Sequence, residues 1–129
     1  MTNFIIVSQV ILWLYVLMFL VLIMHELIHL LFVKLFKKEL ISFKINVFGG
    51  KVTYVNDTKH AEILLISLAP SVILPILGAI ILYADLGIYY NVFALFCLIN
   101  MINFLPVTAD GRVALYCLLK MMESKTKKV

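Results

Sequence analysis

The chain has 129 residues, the length of a single domain, and 64% of them are hydrophobic while only 14% are charged. A soluble domain of this size has too high a surface-to-volume ratio to bury that much apolar surface, so the composition excludes an ordinary soluble protein. The net charge of +4 comes from basic residues beside the apolar stretches, which is typical of membrane flanks and does not indicate a nucleic-acid partner. We therefore predict a mainly α-helical integral membrane protein, built as one membrane-embedded domain over residues 1–129.

The first predicted transmembrane helix covers residues 4–33. This stretch is apolar except for Ser8, Gln9 and the sequence HELIH at residues 25–29. Because about 20 residues cross the hydrocarbon core, a helix of this length must tilt or project beyond the bilayer. It has no basic residue ahead of its apolar run and no small-residue cleavage site behind it, so we expect a retained span and not a cleaved signal peptide.

A short β-hairpin is predicted after the first helix, over residues 41–55. Apolar and polar residues alternate on both sides of Gly49-Gly50. A period of two around a pair of glycines is typical of two strands joined by a tight connection. A plain loop at the membrane interface is the alternative.

The second predicted span covers residues 62–83. The polar residues Asn56, Asp57 and Thr58 precede it and can cap a helix. Two prolines, at positions 70 and 75, lie inside the span and predict a kink. A membrane helix tolerates such prolines where neighbouring groups satisfy the freed carbonyls.

The third predicted span covers residues 88–105 and leads through the sequence NFLPVTADGR into a C-terminal helix over residues 111–122. That last helix is too short to cross the membrane, so three transmembrane helices are expected. Basic residues cluster after the first and third spans, whereas the turn between the second and third has none. The positive-inside rule then predicts a multi-pass protein of the cell membrane, with the N-terminus outside and the hairpin and C-terminus in the cytoplasm.

HELIH is an HExxH motif, which indicates metal chemistry. Positions i and i+4 share one face of a helix, so His25 and His29 can bind a single zinc ion at about 2.0–2.1 Å. Glu26 lies beside that position, where it can take a proton from water and return it to a leaving amine. Coincidence and an interfacial cluster that only snorkels are the alternatives, but ionisable residues inside a membrane span favour a functional role.

A catalytic zinc site usually has a third protein ligand, and Asp110 is the candidate. Asp110 lies 22 positions after Ile88, where the third span begins, and His25 lies 21 positions after Phe4, where the first begins. At about 1.5 Å per residue both therefore reach a similar depth, near the cytoplasmic face. Capping of the last helix is an alternative role for Asp110, and the two roles are compatible.

Three other polar residues are candidates for this site. Glu39 and His60 could donate to a metal, but both lie among loop and cap signals, so we expect them to be solvated. Asn103 begins the interrupted segment and could orient a substrate or donate to a developing oxyanion. Satisfying the broken backbone is an equally good role for Asn103.

The HELIH helix, the FGG of the hairpin, the LAPS sequence from Leu68 and the NFLPVTADGR segment, in this order, resemble the site-2 proteases, which are intramembrane zinc metalloproteases. The resemblance is to their small, three-span, zincin-like relatives and covers about Met24 to Leu119. It implies that His25, His29 and Asp110 bind one Zn²⁺ per chain, with Glu26 as the catalytic glutamate, and that Asn103 and Pro106 match the family's Asn and Pro.

The resemblance also implies a binding mode for the substrate. It matches the hairpin to a membrane-associated strand that receives an extended substrate segment by strand addition. The residues that would bind the substrate in this way are Phe48, Gly49, Gly50, Lys51 and Val52.

The leading hypothesis is therefore an intramembrane zinc endopeptidase that hydrolyses membrane-bound peptides or single-span proteins, near the cytoplasmic face. A non-catalytic metal-binding, immunity-type or regulatory membrane protein on the same scaffold is the alternative. Retention of Glu26 favours the enzyme, because a pure metal site does not need a carboxylate beside HxxxH. Three short spans bury little surface, so a homo-oligomer or a regulatory membrane partner is compatible with the sequence.

Overall fold

The computed structural model describes residues 1–46 and 49–128 and confirms a mainly helical protein with one small sheet. The four α-helices of the described residues are α1 (Thr2–Leu35), α2 (His60–Ala84), α3 (Ile88–Ile99) and α4 (Ala109–Thr126), with a 3-10 helix at Asn100–Phe104 after α3. The two strands are β1 (Leu40–Asn46) and β2 (Gly49–Tyr54). The last helix is longer than predicted, since it begins at Ala109 and continues to Thr126.

Within the described ranges, two helices are long and apolar enough to cross a membrane, namely α1 and α2. A third crossing is counted only if the segment Ile88–Phe104 and helix α4, which meet at an angle of 40°, form one broken span. The protein thus has two or three membrane-spanning candidates, which supports association with a membrane. The predicted orientation of its ends stays a prediction.

Helix α2 lies at the centre of the bundle and contacts α1, α3 and α4. Val21 of α1, Leu74 of α2 and Cys97 of α3 form its buried core. Gly78 lets α2 and α3 approach closely, because a Cβ there would lie 2.6 Å from the carbonyl oxygen of Ala94. Small residues at helix contacts are typical of membrane bundles, where packing rather than water exclusion drives association.

The sheet is the predicted hairpin, an antiparallel pair in which Ile45 lies opposite Gly50 and Asn46 lies opposite Gly49. Strand β2 already begins at Gly49. The Gly49-Gly50 pair therefore opens the second strand, although its composition suggested the connection between the strands. The physical reason is a close approach of the strand to α1, described below.

The expected cap of the second helix is wrong. Lys59 precedes α2, and no side chain there caps the helix. Asp57 instead pairs with the amino group of Lys38, which also lies 2.6 Å from the Glu62 carboxylate. The Lys38 side chain is only 2% exposed, so burial beside two carboxylates outweighs the capping preference of Asp57. We call Lys38, Asp57 and Glu62 the basal clasp, since they join the end of α1 to the start of α2.

Candidate metal centre

Helix α1 places the three polar residues of HELIH inside the bundle. His25, Glu26 and His29 are 7%, 6% and 6% exposed, although residues 2–16 of α1 are all exposed. A helix places positions i and i+4 on one face, and the two imidazole rings lie in a T-shaped arrangement with centroids 4.8 Å apart. The motif therefore points into protein and not into lipid.

Three ligand atoms converge at one point. Nε2 of His25 and Nε2 of His29 lie 3.1 Å apart, and they lie 3.0 and 3.2 Å from Oδ2 of Asp110. Two residues of one helix and one from 81 positions further along the chain thus share a single small space. They are the one group of His, Cys, Asp or Glu side chains with metal-site spacing among residues 1–46 and 49–128.

The other ring nitrogen of each histidine has its own acceptor. The amide group of Asn100 donates from Nδ2 to the Phe96 carbonyl at 3.1 Å, which turns Oδ1 toward His25. Nδ1 of His25 therefore donates to that Oδ1 at 2.8 Å. Nδ1 of His29 donates to the carbonyl of Ile66, also at 2.8 Å. These partners assign the ring protons to Nδ1 and leave a lone pair on each Nε2.

The donor set fits a metal cation. With both Nδ1 atoms protonated, the two Nε2 lone pairs and the Asp110 carboxylate are three acceptors within 4.8 Å of one another. Acceptors that face each other without a proton repel, and a shared cation removes that repulsion. Two imidazoles and a carboxylate, each histidine bonded to an outer partner, form the ligand arrangement that zinc prefers at sites with an open fourth position.

Asp110 is held at this point by the start of α4. Thr108, not Asp110, caps that helix, because its hydroxyl oxygen accepts the Gly111 N–H at 3.1 Å. The capping role considered for Asp110 is therefore wrong, and its carboxylate is available to the histidines. Gly111 is required beside it, since a Cβ at that position would overlap the carbonyl of Leu105. Asp110 thus supplies a candidate metal ligand, and Gly111 beside it permits a close contact with the backbone of Leu105.

Two cavities meet at the converged side chains. The first, of about 350 Å³, is lined by His25, Asn103 and the apolar residues Met18 and Phe96, among others. The second cavity, of about 220 Å³, lies on the α2 side and is lined in part by Ser67 of that helix. The residues that line both cavities are Glu26, Gly50, Ala109 and Asp110. Volumes of this order are suited to binding part of a ligand.

The hairpin residues predicted to bind substrate lie at these cavities. Gly49 and Gly50 line the first cavity, and Gly50, Lys51 and Val52 line the second. Phe48, the fifth residue of that prediction, lies outside the described residues. Strand β2 has no strand partner beyond β1 within the described ranges, so its second edge is open to pairing.

Gly50 also explains why the glycine pair belongs to the strand. A Cβ at Gly50 would overlap Cγ and Cδ of Glu26, whereas a Cβ at Gly49 would meet nothing within 4 Å. The backbone of β2 therefore lies directly against the candidate catalytic carboxylate. Only glycine permits that approach, which puts strand and glutamate in one site.

Asn103 lines the first cavity. The broken segment is bonded by Thr108, whose hydroxyl donates to the Leu105 carbonyl at 3.1 Å and lies 3.3 Å from that of Asn103. Thr108 thus supplies part of the backbone bonding of this segment, a role that the sequence had offered to Asn103. Neither Glu39 nor His60 joins the metal-site group. Glu39 is exposed, as expected, but the expected solvation of His60 is wrong, because its ring is half-buried edge-on against Tyr116.

Sequence reasoning missed three contributors. Asn100 was overlooked, although an amide inside an apolar span is itself a functional signal. The Ile66 carbonyl was also overlooked, although Pro70 four residues later indicates that it lacks its helical donor. Tyr54 lines the second cavity. Its burial raises its pKa, an effect that a hydrogen bond with Ser67 partly opposes, so the phenol is neutral at physiological pH and can donate.

Comparison with known proteins adds one match. A sequence profile of the family described as "Putative zincin peptidase" matches residues 18–124. That range includes both histidines of HELIH, Glu26 and Asp110. No curated protein and no solved structure matched the chain.

Proposed function

The chain belongs to this zincin-like peptidase family, and we propose that it is an intramembrane zinc endopeptidase of the site-2 protease type. Its substrates are membrane-bound peptides or single-span proteins, which it hydrolyses near the cytoplasmic face. The observation that carries the proposal is the convergence of His25, His29 and Asp110 beside Glu26, at a junction of two cavities.

The ligands in this proposal are Nε2 of the two histidines and the Asp110 carboxylate. When bound, a zinc ion supplies Lewis acidity, which polarises a peptide carbonyl and makes water more acidic. Asn100 and the Ile66 carbonyl keep the two rings in the tautomer with a free Nε2. Both rings are therefore oriented before any metal or substrate arrives, which lowers the cost of binding.

Glu26 acts as the proton carrier. Its carboxylate lies one residue after His25 and lines both cavities. From there it accepts a proton from the attacking water and then donates it to the nitrogen of the leaving amine. General acid–base catalysis of this kind contributes about 10²–10⁴-fold to a reaction rate.

The substrate would lie along β2. A helical peptide hides its carbonyls in its own hydrogen bonds, so a cleavable segment must first unwind. The open edge of β2 can pair with such an extended segment, and the cavities on either side of Glu26 can take its flanking side chains. Asn103, on the wall of the first cavity, is suited to donate to charge that develops on the attacked carbonyl.

The test compares the parent protein with Glu26→Gln. The variant keeps the shape of the side chain but cannot carry the proton, so we expect full zinc content and a loss of cleavage of 10²-fold or more, on the order expected for a removed acid–base group. Zinc is measured by mass spectrometry of the purified protein, and cleavage by membrane-bound precursors that accumulate in cells. Glu39→Gln, a change at an exposed glutamate outside the site, is the matched control.

Three outcomes would contradict the proposal or part of it. Equal processing by the Glu26→Gln protein would exclude the assigned mechanism. Zinc binding without any precursor that depends on Glu26 would favour a non-catalytic metal-binding protein on the same scaffold. Asp110→Ala with undiminished zinc content would remove Asp110 from the ligand set.

A further inference from the structure

Helix α2 carries a proline one turn after the residue that bonds to His29. In an unbroken helix the carbonyl of Ile66 would accept the N–H of residue 70, but residue 70 is Pro70 and has no N–H. Its ring also crowds the carbonyl four residues back. The carbonyl of Ile66 therefore has no N–H partner four residues later in the helix.

This carbonyl is the acceptor for His29. Nδ1 of His29 lies 2.8 Å from the Ile66 oxygen, and this hydrogen bond is buried. Ile66 is 1% exposed and the Pro70 side chain is also fully buried. An unsatisfied buried carbonyl costs about 1–3 kcal/mol. Pro70 thus leaves the Ile66 carbonyl without a helical donor, and His29 supplies the donor that this buried carbonyl needs.

We propose that Pro70 is a positioning residue for the metal centre, a step that rests on the proposed function. By withholding an N–H, Pro70 dedicates the Ile66 carbonyl to the His29 ring and selects the tautomer with its proton on Nδ1. The Nε2 lone pair of His29 then faces Asp110 and His25. Pro70 itself contacts neither the metal position nor the substrate path in this scheme.

The two histidines are oriented by different means, which explains why α2 needs a proline. His25 bonds to a side chain, that of Asn100 on the 3-10 helix. His29 faces the middle of a buried helix, where the carbonyls are normally committed to N–H groups four residues later. A proline is the direct way to free one of those carbonyls without ending the helix, and α2 runs unbroken from His60 to Ala84.

The first test uses two substitutions that restore the N–H at position 70. Pro70→Val keeps much of the side-chain volume, whereas Pro70→Ala also opens space in the core. The restored N–H competes for the Ile66 carbonyl in both, so we expect zinc affinity to fall about tenfold or more, as for other outer partners of metal ligands. Affinity is measured by competition with a chelator in detergent. Pro75→Ala, in the same helix, is the matched control and should bind zinc like the parent.

The second test needs no metal and no activity. Nitrogen-15 spectra of the metal-free parent should show His29 protonated at Nδ1, with resonances assigned by replacing one histidine at a time. In Pro70→Val that population should shift toward the Nε2-protonated tautomer, while His25, held by Asn100, should not change. A parent spectrum with the His29 proton on Nε2 overturns the inference, whether or not the variants fold.

The outcomes separate this inference from the proposed function. A parent protein that binds no zinc contradicts the proposed function. A parent that binds zinc, together with Pro70 variants of unchanged affinity and tautomer, overturns only the role of Pro70. Loss in Pro70→Ala but not in Pro70→Val also overturns it, because packing volume and not the N–H would then be the cause.

Discussion

At the scale of single residues, the site depends on two ring nitrogens that carry no proton and on one strand residue that has no side chain. The two Nε2 atoms carry lone pairs because Asn100 and Ile66 accept the Nδ1 protons. Gly50 has no Cβ where Glu26 lies. Burial makes each of these details costly to change, since neither water nor a mobile neighbour can compensate.

Gly50→Ala is the sharpest test at this scale. Its Cβ would overlap the Glu26 side chain, so either the carboxylate or strand β2 must move. A displacement of about 1 Å can cost 10²-fold in rate, and we expect a loss of that order in cleavage with zinc content retained. Cleavage is measured on the precursor identified with Glu26→Gln.

Gly49→Ala is the control for that substitution. It adds the same methyl group to the same strand, but nothing lies within 4 Å of it, so the loss of cleavage should be much smaller than in Gly50→Ala. Equal effects of the two substitutions would show that strand β2 tolerates no side chain for reasons unrelated to Glu26.

At the scale of elements, the ends of helices and strands place the site. The start of α4 positions Asp110, and the basal clasp joins the end of α1 to the start of α2 on either side of the hairpin. Each junction rests on a few polar contacts, while the long helices depend on apolar packing. The junctions are therefore where a small change should loosen the site without unfolding the bundle.

Thr108→Val tests the start of α4. The variant keeps the shape of threonine but cannot accept the Gly111 N–H, a loss that typically costs about 1 kcal/mol. We expect a lower thermal midpoint in detergent and weaker zinc binding, because Asp110 lies in the first turn of that helix. Thr108→Ser keeps the hydroxyl and should match the parent. Unchanged zinc affinity in Thr108→Val would separate the cap from the ligand.

Lys38→Met tests the basal clasp. Burial by itself lowers the pKa of Lys38, but its hydrogen bonds to Asp57 and Glu62 outweigh burial and raise it. Without the amino group two carboxylates face each other, so hydrogen-exchange protection of the β1 and β2 amides should fall. Lys34→Met, at an exposed lysine of α1, should leave that protection unchanged.

The same clasp predicts a dependence on pH. The hydrogen bond from Lys38 lowers the pKa of Asp57 below its usual value of 3.8. A lowered carboxyl pKa gives stability that is present at neutral pH and is lost as the pH falls through the lowered value. The raised pKa of Lys38 has the opposite dependence on pH. The stability that it contributes is present at neutral pH and is lost only as the pH rises above the pKa of an ordinary lysine. Protection of the hairpin should thus be flat near neutrality and fall in acid.

At the scale of the whole molecule, a long apolar helix carries a buried site at one end. Helix α1 has 34 residues, about 51 Å at 1.5 Å per residue, whereas the hydrocarbon core is about 30 Å thick. Its residues 2–16 are exposed, while His25, Glu26 and His29 are buried near α2, the hairpin and the start of α4. The arrangement suits a site reached from within the membrane near one surface.

The orientation is tested by labelling with a membrane-impermeant maleimide. Leu86→Cys lies in the turn between α2 and α3, and Lys128→Cys lies beyond α4. The basic residues predict that position 86 reacts in intact cells and position 128 only after permeabilisation. The native Cys97 and Cys117 are 0% and 1% exposed, so they should add little background. The reverse pattern would invert the predicted topology.

The amino-acid sequence by itself determined the features that depend only on residues close together in the chain. Hydropathy predicted membrane helices, alternation predicted the hairpin, and the i, i+4 spacing put His25 and His29 on one face of α1, because these periods are properties of the local backbone. Local signals failed where a distant partner competed for the same group. Asp57 pairs with Lys38 and does not cap α2. Gly50 packs against Glu26 and belongs to strand β2, not to the connection between the strands.

Only the tertiary structure decided how the site is completed. Asp110 meets His25 across 85 positions, and Asn100 meets it across 75. The depth count along two helices predicted that Asp110 and His25 lie level, but level residues can still face apart, and the packing of α1, α2 and α4 sets the direction of each side chain. The Ile66 carbonyl shows the limit most clearly. From the sequence, Pro70 indicates that the Ile66 carbonyl has no helical donor. Only the contact between α1 and α2 shows that His29 is its hydrogen-bond partner.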